Sequence, residues 1–148
     1  MPTTTLQPWP TVRKGHQQRH PVSTLQYLLR FRGHNVVVDG VFGPKTDTAV
    51  RAFQQQRGVP VDGIVGPKTW EALITQVRKG DRGDAVRAVQ EEFRVRSGEP
   101  SQAFVVDGIF GPNTDGAVRG FQEAVELESD GIVGPLTWRA LVSGALLG

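Results

Sequence analysis

The 148-residue chain contains no cysteine. Disulfide bonds, thiolate zinc sites and a cysteine nucleophile are therefore excluded. No apolar run approaches the roughly 20 residues that a membrane-spanning helix needs, so no membrane span is predicted. Basic residues form no run and are not interleaved with aromatic residues, which argues against a nucleic-acid interface. The segment Met1–Thr11 lacks the basic and apolar regions of a secretory signal peptide.

An octapeptide of the form Asp-Gly-[Val/Ile]-[Phe/Val]-Gly-Pro-x-Thr occurs four times. Its copies begin 23, 45 and 23 residues apart, at Asp39, Asp62, Asp107 and Asp130. The first and third copies carry Phe in the fourth position, and the second and fourth carry Val. Such nested repetition indicates two copies of one module, each with a Phe-type loop and a Val-type loop.

The duplication also shows in two Val-Arg-Lys-Gly segments, which begin at Val12 and Val77. We therefore predict an N-terminal extension over residues 1–11, module 1 over residues 12–76 and module 2 over residues 77–148. Apolar residues recur at helical spacing before each Phe-type loop and after each loop. The predicted fold is all-α, with two tandem three-helix modules joined by a short connection. Module 2 carries four extra residues around Arg96–Gln102, where Gly, Ser and Pro predict a longer loop.

Each residue of the octapeptide has a structural interpretation. Asp is expected to form an Asx-type turn, the first Gly to adopt positive φ, and the fourth residue to point inward. The second Gly is expected to allow close approach of the chain, and Pro to begin a helix, with Thr supporting its first turn. The predicted structural turn residues are Asp39, Gly40, Gly43, Asp62, Gly63, Gly66, Asp107, Gly108, Gly111, Asp130, Gly131 and Gly134.

Charge is unevenly distributed along the chain. Residues 1–76 carry a net charge of +5 and residues 77–148 a net charge of −3. Either the two copies have drifted apart, or the modules attract each other or an anionic surface.

The repeated segments resemble the three-helix type of bacterial peptidoglycan-binding domain. The resemblance rests on Val38–Gln54 and Val61–Leu73 in module 1, and on Val106–Gln122 and Asp130–Leu141 in module 2. It implies binding of wall polymer without cleavage, and no cofactor. Two segments depart from the family pattern, His16–His20 in module 1 and Val125–Ser129 in module 2. Contacts with a ligand are expected to differ between the modules there.

The resemblance does not fix which residues contact the polymer. We predict contacts by polar side chains beside the loops and by aromatic side chains able to stack on sugar rings. The candidates are Arg51, Gln54, Trp70, Arg119, Gln122 and Trp138. A solvated helix face for the polar residues and a core position for the tryptophans are the alternatives.

Catalytic and metal sites find little support in the sequence. His16 and His20 are four residues apart, but the Glu of a zinc-binding His-Glu-x-x-His motif is missing. No Ser lies in a Gly-x-Ser-x-Gly turn. Two small helical modules are also expected to lack the deep cleft that raises the pKa of a glycosidase carboxyl group. We predict no catalytic residue and no metal.

The predicted function is therefore non-catalytic binding of peptidoglycan, through peptide stem or glycan, by a monomer located at the cell wall or outside the cell. Alternatives are a protein-interaction or inhibitory module, and the targeting part of a larger cell-wall hydrolase, which would also be a partner. Without a signal peptide in Met1–Thr11, a cytoplasmic or phage-encoded origin stays open.

Overall fold

The computed structural model describes residues 6–16, 18–97 and 104–147, and these form six helices and no strand. The helices are α1 (Arg19–Phe31), α2 (Pro44–Arg57), α3 (Pro67–Leu73), α4 (Asp84–Arg96), α5 (Pro112–Ala124) and α6 (Pro135–Val142). Two sets of three helices confirm the all-α tandem prediction. The predicted loop around Arg96–Gln102 begins later than expected, because α4 includes Arg96, and residues 98–102 lie outside the described residues. So do residues 1–5 of the predicted extension.

Four of the helices begin at the proline of an octapeptide. The preceding glycines, Gly43, Gly66, Gly111 and Gly134, are extended N-cap residues with no side-chain cap. Proline suits the first helical position, since its missing N–H would have no partner there and its φ is already helical. The expectation that these glycines permit a close approach is wrong, because an added Cβ would find no atom nearer than 4.0 Å.

The fourth octapeptide residue points into the core, as predicted. Phe42, Val65, Phe110 and Val133 are at most 1% exposed. Burying an apolar side chain of this size contributes on the order of 2 kcal/mol relative to leaving it in water. Each loop therefore pins its helix start to the interior.

The segment ahead of each first helix is tied to the third helix by a tryptophan. Trp70 Nε1 donates to the Pro10 carbonyl at 2.9 Å, and Trp138 Nε1 donates to the Thr75 carbonyl at 2.7 Å. The two bonds are equivalent under the duplication. Trp9 also docks locally, with its ring stacked 6.1 Å from that of Trp70.

The modules pack against each other through α1 and α4. Glu92 on α4 is fully buried at this interface. Its carboxylate accepts from Arg96 Nη1 at 2.7 Å within module 2 and from Thr24 Oγ1 at 2.7 Å in module 1. His20 Nε2 lies 2.8 Å from the same carboxylate. A buried carboxylate is tolerated only with such partners.

Glu91, the neighbour of Glu92, is equally enclosed. It accepts from Arg94 at 2.6 Å within its own helix, and from Ser23 Oγ at 2.6 Å and Arg19 Nε at 3.2 Å across the interface. Burial opposes ionisation of Glu91, but the hydrogen bonds from Arg94 and Ser23 outweigh it and lower its pKa. Ion pairs cross the interface between Arg19 and Glu91 and between Arg30 and Asp84, so acidic groups of module 2 meet basic groups of module 1 here.

The interface gives a stability prediction. Glu92→Gln places amide N–H donors where Arg96, Thr24 and His20 need an acceptor. We expect a loss of about 3 kcal/mol in the free energy of unfolding, as for a broken buried ion pair. Urea denaturation followed by circular dichroism measures the loss. The control is Glu123→Gln on exposed α5 surface, expected to change stability by less than about 0.5 kcal/mol; equal effects of the two variants would contradict the interface as described.

Candidate functional site

A buried glutamine lies behind every octapeptide loop. In the second loop, Gln54 Nε2 donates to Asp62 Oδ1, the Ile64 carbonyl and Thr69 Oγ1 at 3.0–3.1 Å. Gln54 Oε1 accepts from the backbone N–H groups of Asp62 and Gly63 at 3.2 and 3.0 Å. One side chain therefore binds both sides of the turn and the start of the following helix. We call this arrangement the glutamine clasp.

The same clasp occurs in the other three loops. Gln26 holds the loop at Asp39, Gln90 the loop at Asp107, and Gln122 the loop at Asp130. In each case the octapeptide Thr accepts from Gln Nε2. The predicted role of Thr in supporting its own helix is thus replaced by a bond to a different helix.

The aspartates form the predicted Asx turns. The Oδ1 atoms of Asp39, Asp62, Asp107 and Asp130 accept from the N–H two residues ahead at 2.9–3.0 Å. These backbone hydrogen bonds are the main reason that the pKa of each aspartate lies below its ordinary value, with the clasping glutamine adding to the effect.

The first glycine of each loop is covered by an arginine. At Gly63, where φ is +73°, an added Cβ would lie 2.7 Å from Arg51 Nη2 and 2.7 Å from Asp47 Oδ1. The positive φ favours glycine here, and any larger residue would also have to displace the ends of the Arg51 and Asp47 side chains. Arg19, Arg87 and Arg119 cover the corresponding glycines of the other loops.

The structure corrects four of the six predicted contact residues. Gln54 and Gln122 are at most 1% exposed, and their amides are used by the clasp. Trp70 and Trp138 are fully buried, so neither ring offers a face to a sugar. Sequence places these residues beside the loops, but it does not show which side of a short helix faces the core.

Arg51 and Arg119 are the two predicted contact residues that reach the surface. Each side chain is 49% exposed and pairs with an aspartate one helical turn earlier, Asp47 or Asp115. The sequence reasoning missed Arg87, which covers Gly108 from the equivalent position. The signal was available, since arginine precedes Gln54, Gln90 and Gln122 by three residues in each case.

A groove lies beside the Phe-type loop of module 2. It has a volume of about 730 Å³, and Phe104, Val105, Asp107, Ile109 and Asn113 line it together with the loop backbone. Val105 and Ile109 are 69% and 46% exposed. We call this the module 2 groove. The equivalent positions around the Val-type loop of module 2 enclose only about 200 Å³.

Module 1 has a smaller cleft beside its own Phe-type loop. Its volume is about 410 Å³, and it lies between Val36 and the first turns of α2. Val37 and Val41, the counterparts of Val105 and Ile109, are also exposed. Lys45 replaces Asn113, so the two modules differ in charge at this place.

Metal and membrane features are absent from the part of the chain that the structure describes. No group of three or more metal-ligating side chains occurs there, and no helix is long and apolar enough to cross a membrane. His16 lies ahead of α1, and His20 is bonded to Glu92. The two histidines therefore do not share a helix face.

Comparison with known proteins gives two family matches. The model of a family described as a putative peptidoglycan binding domain matches residues 18–73 and 82–141. The first match includes α1 to α3 and both loops of module 1, and the second includes α4, α5, α6 up to Leu141 and both loops of module 2.

Individual relatives are similar over part of their length. An uncharacterised protein of Kitasatospora aureofaciens is 46% identical over 74 residues, covering 48% of this chain and 56% of that protein. The N-acetylmuramoyl-L-alanine amidase CwlM of Mycobacterium tuberculosis is 39% identical over 121 residues, which cover 74% of this chain and 29% of the amidase. A crystallised peptidoglycan-binding protein of Clostridioides difficile, in complex with glutamine hydroxamate, is 42% identical over 43% of this chain and 40% of its own, with a TM-score of 0.42. The chain thus spans little more than half the length of the first relative and under a third of the amidase.

The clasp predicts that adjacent glutamines on α2 differ sharply in importance. Gln54→Ala leaves the Asp62 and Gly63 N–H groups and the Thr69 hydroxyl without their partner. We expect a loss of about 3 kcal/mol in unfolding free energy, since each unsatisfied buried group costs about 1–3 kcal/mol. Gln55→Ala removes an exposed side chain of the same type and should cost little. Thermal denaturation of both variants checks this, and similar melting temperatures would refute the clasp.

The aspartate pKa values predict an acid-sensitive fold. A carboxyl group whose pKa is lower in the folded state contributes stability above its unfolded pKa and loses it as pH falls through the folded value. Unfolding free energy should therefore decrease below about pH 5. The quadruple variant Asp39→Asn, Asp62→Asn, Asp107→Asn and Asp130→Asn keeps the Oδ1 acceptors and should show a shallower decrease. Denaturation at several pH values tests this, and an unchanged slope would contradict it.

Proposed function

The chain belongs to the putative peptidoglycan-binding domain family, and we propose that it binds the peptidoglycan of the bacterial cell wall without cleaving it. The observation that carries this proposal is the double family match, in which each match covers the three helices of one module, up to Leu141 in the second, together with the clasped loops. We take residues 12–76 and 77–148 as the two binding modules, preceded by an extension over residues 1–11.

Two linked modules strengthen attachment to a polymer. Once one module is bound, the second meets its site at a high effective concentration, which raises overall affinity by up to about 10²–10⁴ when the geometry permits. The interface between α1 and α4 favours this, because buried Glu91 and Glu92 hold the modules in one arrangement. We propose a monomer that resides at the cell wall.

Arg51 and Arg119 stay candidates for ligand contact. Their guanidinium groups are half exposed beside the Val-type loops, where carboxylates of peptide stems could exchange with Asp47 and Asp115. Arginine recognises carboxylates through paired N–H donors. Similarity to an amidase over both modules also supports a cell-wall hydrolase as a partner that the chain brings to its substrate.

Sedimentation with insoluble peptidoglycan sacculi tests the proposal. We expect micromolar protein to be depleted from the supernatant by sacculi but not by chitin, and the turbidity of the sacculi to stay constant for hours. The variant Arg51→Gln with Arg119→Gln should be depleted several-fold less, because each loses a charge-assisted contact. The charge-matched control is Arg57→Gln with Lys79→Gln. No depletion of the unmodified chain would overturn binding, and falling turbidity would overturn the absence of cleavage.

A further inference from the structure

The module 2 groove combines an aliphatic wall with a polar edge. Val105 and Ile109 expose apolar side chains on either side of Asp107, and Asn113 is exposed at the start of α5. Exposed aliphatic pairs beside convergent polar groups are typical of ligand sites.

Asp107 keeps one carboxylate oxygen for a ligand. The hydrogen bonds that hold it, from Gln90 Nε2 at 2.9 Å and from the Ile109 N–H at 3.0 Å, both use Oδ1. Oδ2 is the further acceptor of this exposed residue. Because an ionised carboxylate accepts strongly, it suits amide N–H or ammonium donors.

Aromatic side chains at this place are engaged in the core. Phe110 of the loop is 1% exposed, and half-buried Phe104 packs against Phe93 with ring centroids 5.7 Å apart. The large apolar side chains that are exposed in the groove, Val105 and Ile109, are therefore aliphatic. They match methyl groups better than the flat face of a sugar ring.

We infer that the module 2 groove binds the peptide stem of peptidoglycan and not its glycan strand. Amide or ammonium donors of the stem bind Asp107 Oδ2, and alanine methyl groups contact Val105 and Ile109. Asn113 offers both an N–H donor and a carbonyl acceptor to the stem backbone. This inference rests on the proposed function and names the part of the polymer that is recognised.

The other loops are less suited to the same ligand. The Val-type loop of module 2 has Glu128 in the position of Val105, and its groove is less than a third as large. In module 1, Lys45 in the position of Asn113 presents a positive charge at the start of α2, which disfavours an ammonium group there. The Phe-type loop of module 2 is therefore better suited to the stem than either of these two loops.

NMR titration of the whole chain separates the two parts of the polymer. One arm uses a synthetic stem tetrapeptide that contains a diamino acid, and the other uses chitotetraose. We expect the tetrapeptide to shift the amide signals of Val105, Ile109 and Asn113 in a saturable way, and chitotetraose to leave them unchanged.

Two variants and their module 1 counterparts sharpen the test. Asp107→Asn keeps the Oδ1 acceptor but loses the charge at Oδ2, and Ile109→Ser removes the apolar contact while keeping the backbone N–H. Each should weaken tetrapeptide binding by about tenfold. The matched controls, Asp39→Asn and Val41→Ser, should leave it within about twofold. Melting temperatures establish whether each variant is folded. If Asp107→Asn does not fold, the tetrapeptide affinity of Ile109→Ser tests the inference.

Three results would overturn the inference. They are saturable shifts with chitotetraose alone, tetrapeptide shifts confined to module 1, and unchanged tetrapeptide affinity in folded Ile109→Ser. If sacculi still deplete the chain in these cases, peptidoglycan binding stands and only the assignment of the stem fails. If sacculi do not deplete the chain, the proposed function itself fails.

Discussion

The glutamine clasp is the interaction on which the rest of the structure depends. A tight loop leaves backbone N–H and carbonyl groups that must find partners when it is buried against a helix. One glutamine amide supplies a donor and an acceptor together, so it satisfies the turn and links it to the next helix start. In the described residues, four clasps hold short helices and a small core in each module in place without a β-sheet, and the chain has no cysteine from which a disulfide could form.

The clasps also determine what is left for recognition. They draw the glutamines and the octapeptide threonines inward, and the tryptophans are bound to carbonyl groups ahead of each module. What reaches the surface around a loop is one aspartate oxygen, an arginine over the glycine, and the residues that alternate with the buried ones. The positions that the fold does not use are therefore the ones available for contact with a ligand, and some of them, such as Lys45 and Asn113, differ between the modules.

Much of the fold could be predicted from sequence, because the octapeptide encodes local geometry. Positive φ at glycine, Asx turns and proline at helix starts depend on few neighbours, and the structure shows all three. The clasp was harder to foresee. Gln54 and Gln122 lie eight residues before their aspartates, but Gln26 and Gln90 lie 13 and 17 residues before theirs, so no single spacing reveals the set. The contact of α1 with α4 depends on tertiary packing, and local sequence patterns do not specify it.

The acidic pair on α4 has no counterpart on α1. Aligned on Gln26 and Gln90, Glu91 and Glu92 correspond to Tyr27 and Leu28, so the two copies present unlike faces to each other. A chain of identical modules could add a further copy at either end and grow as a solenoid does. Here Arg19, Ser23 and Thr24 on α1 of module 1 are all bonded to Glu91 and Glu92 on α4 of module 2. The two copies are therefore complementary at this interface and are not interchangeable.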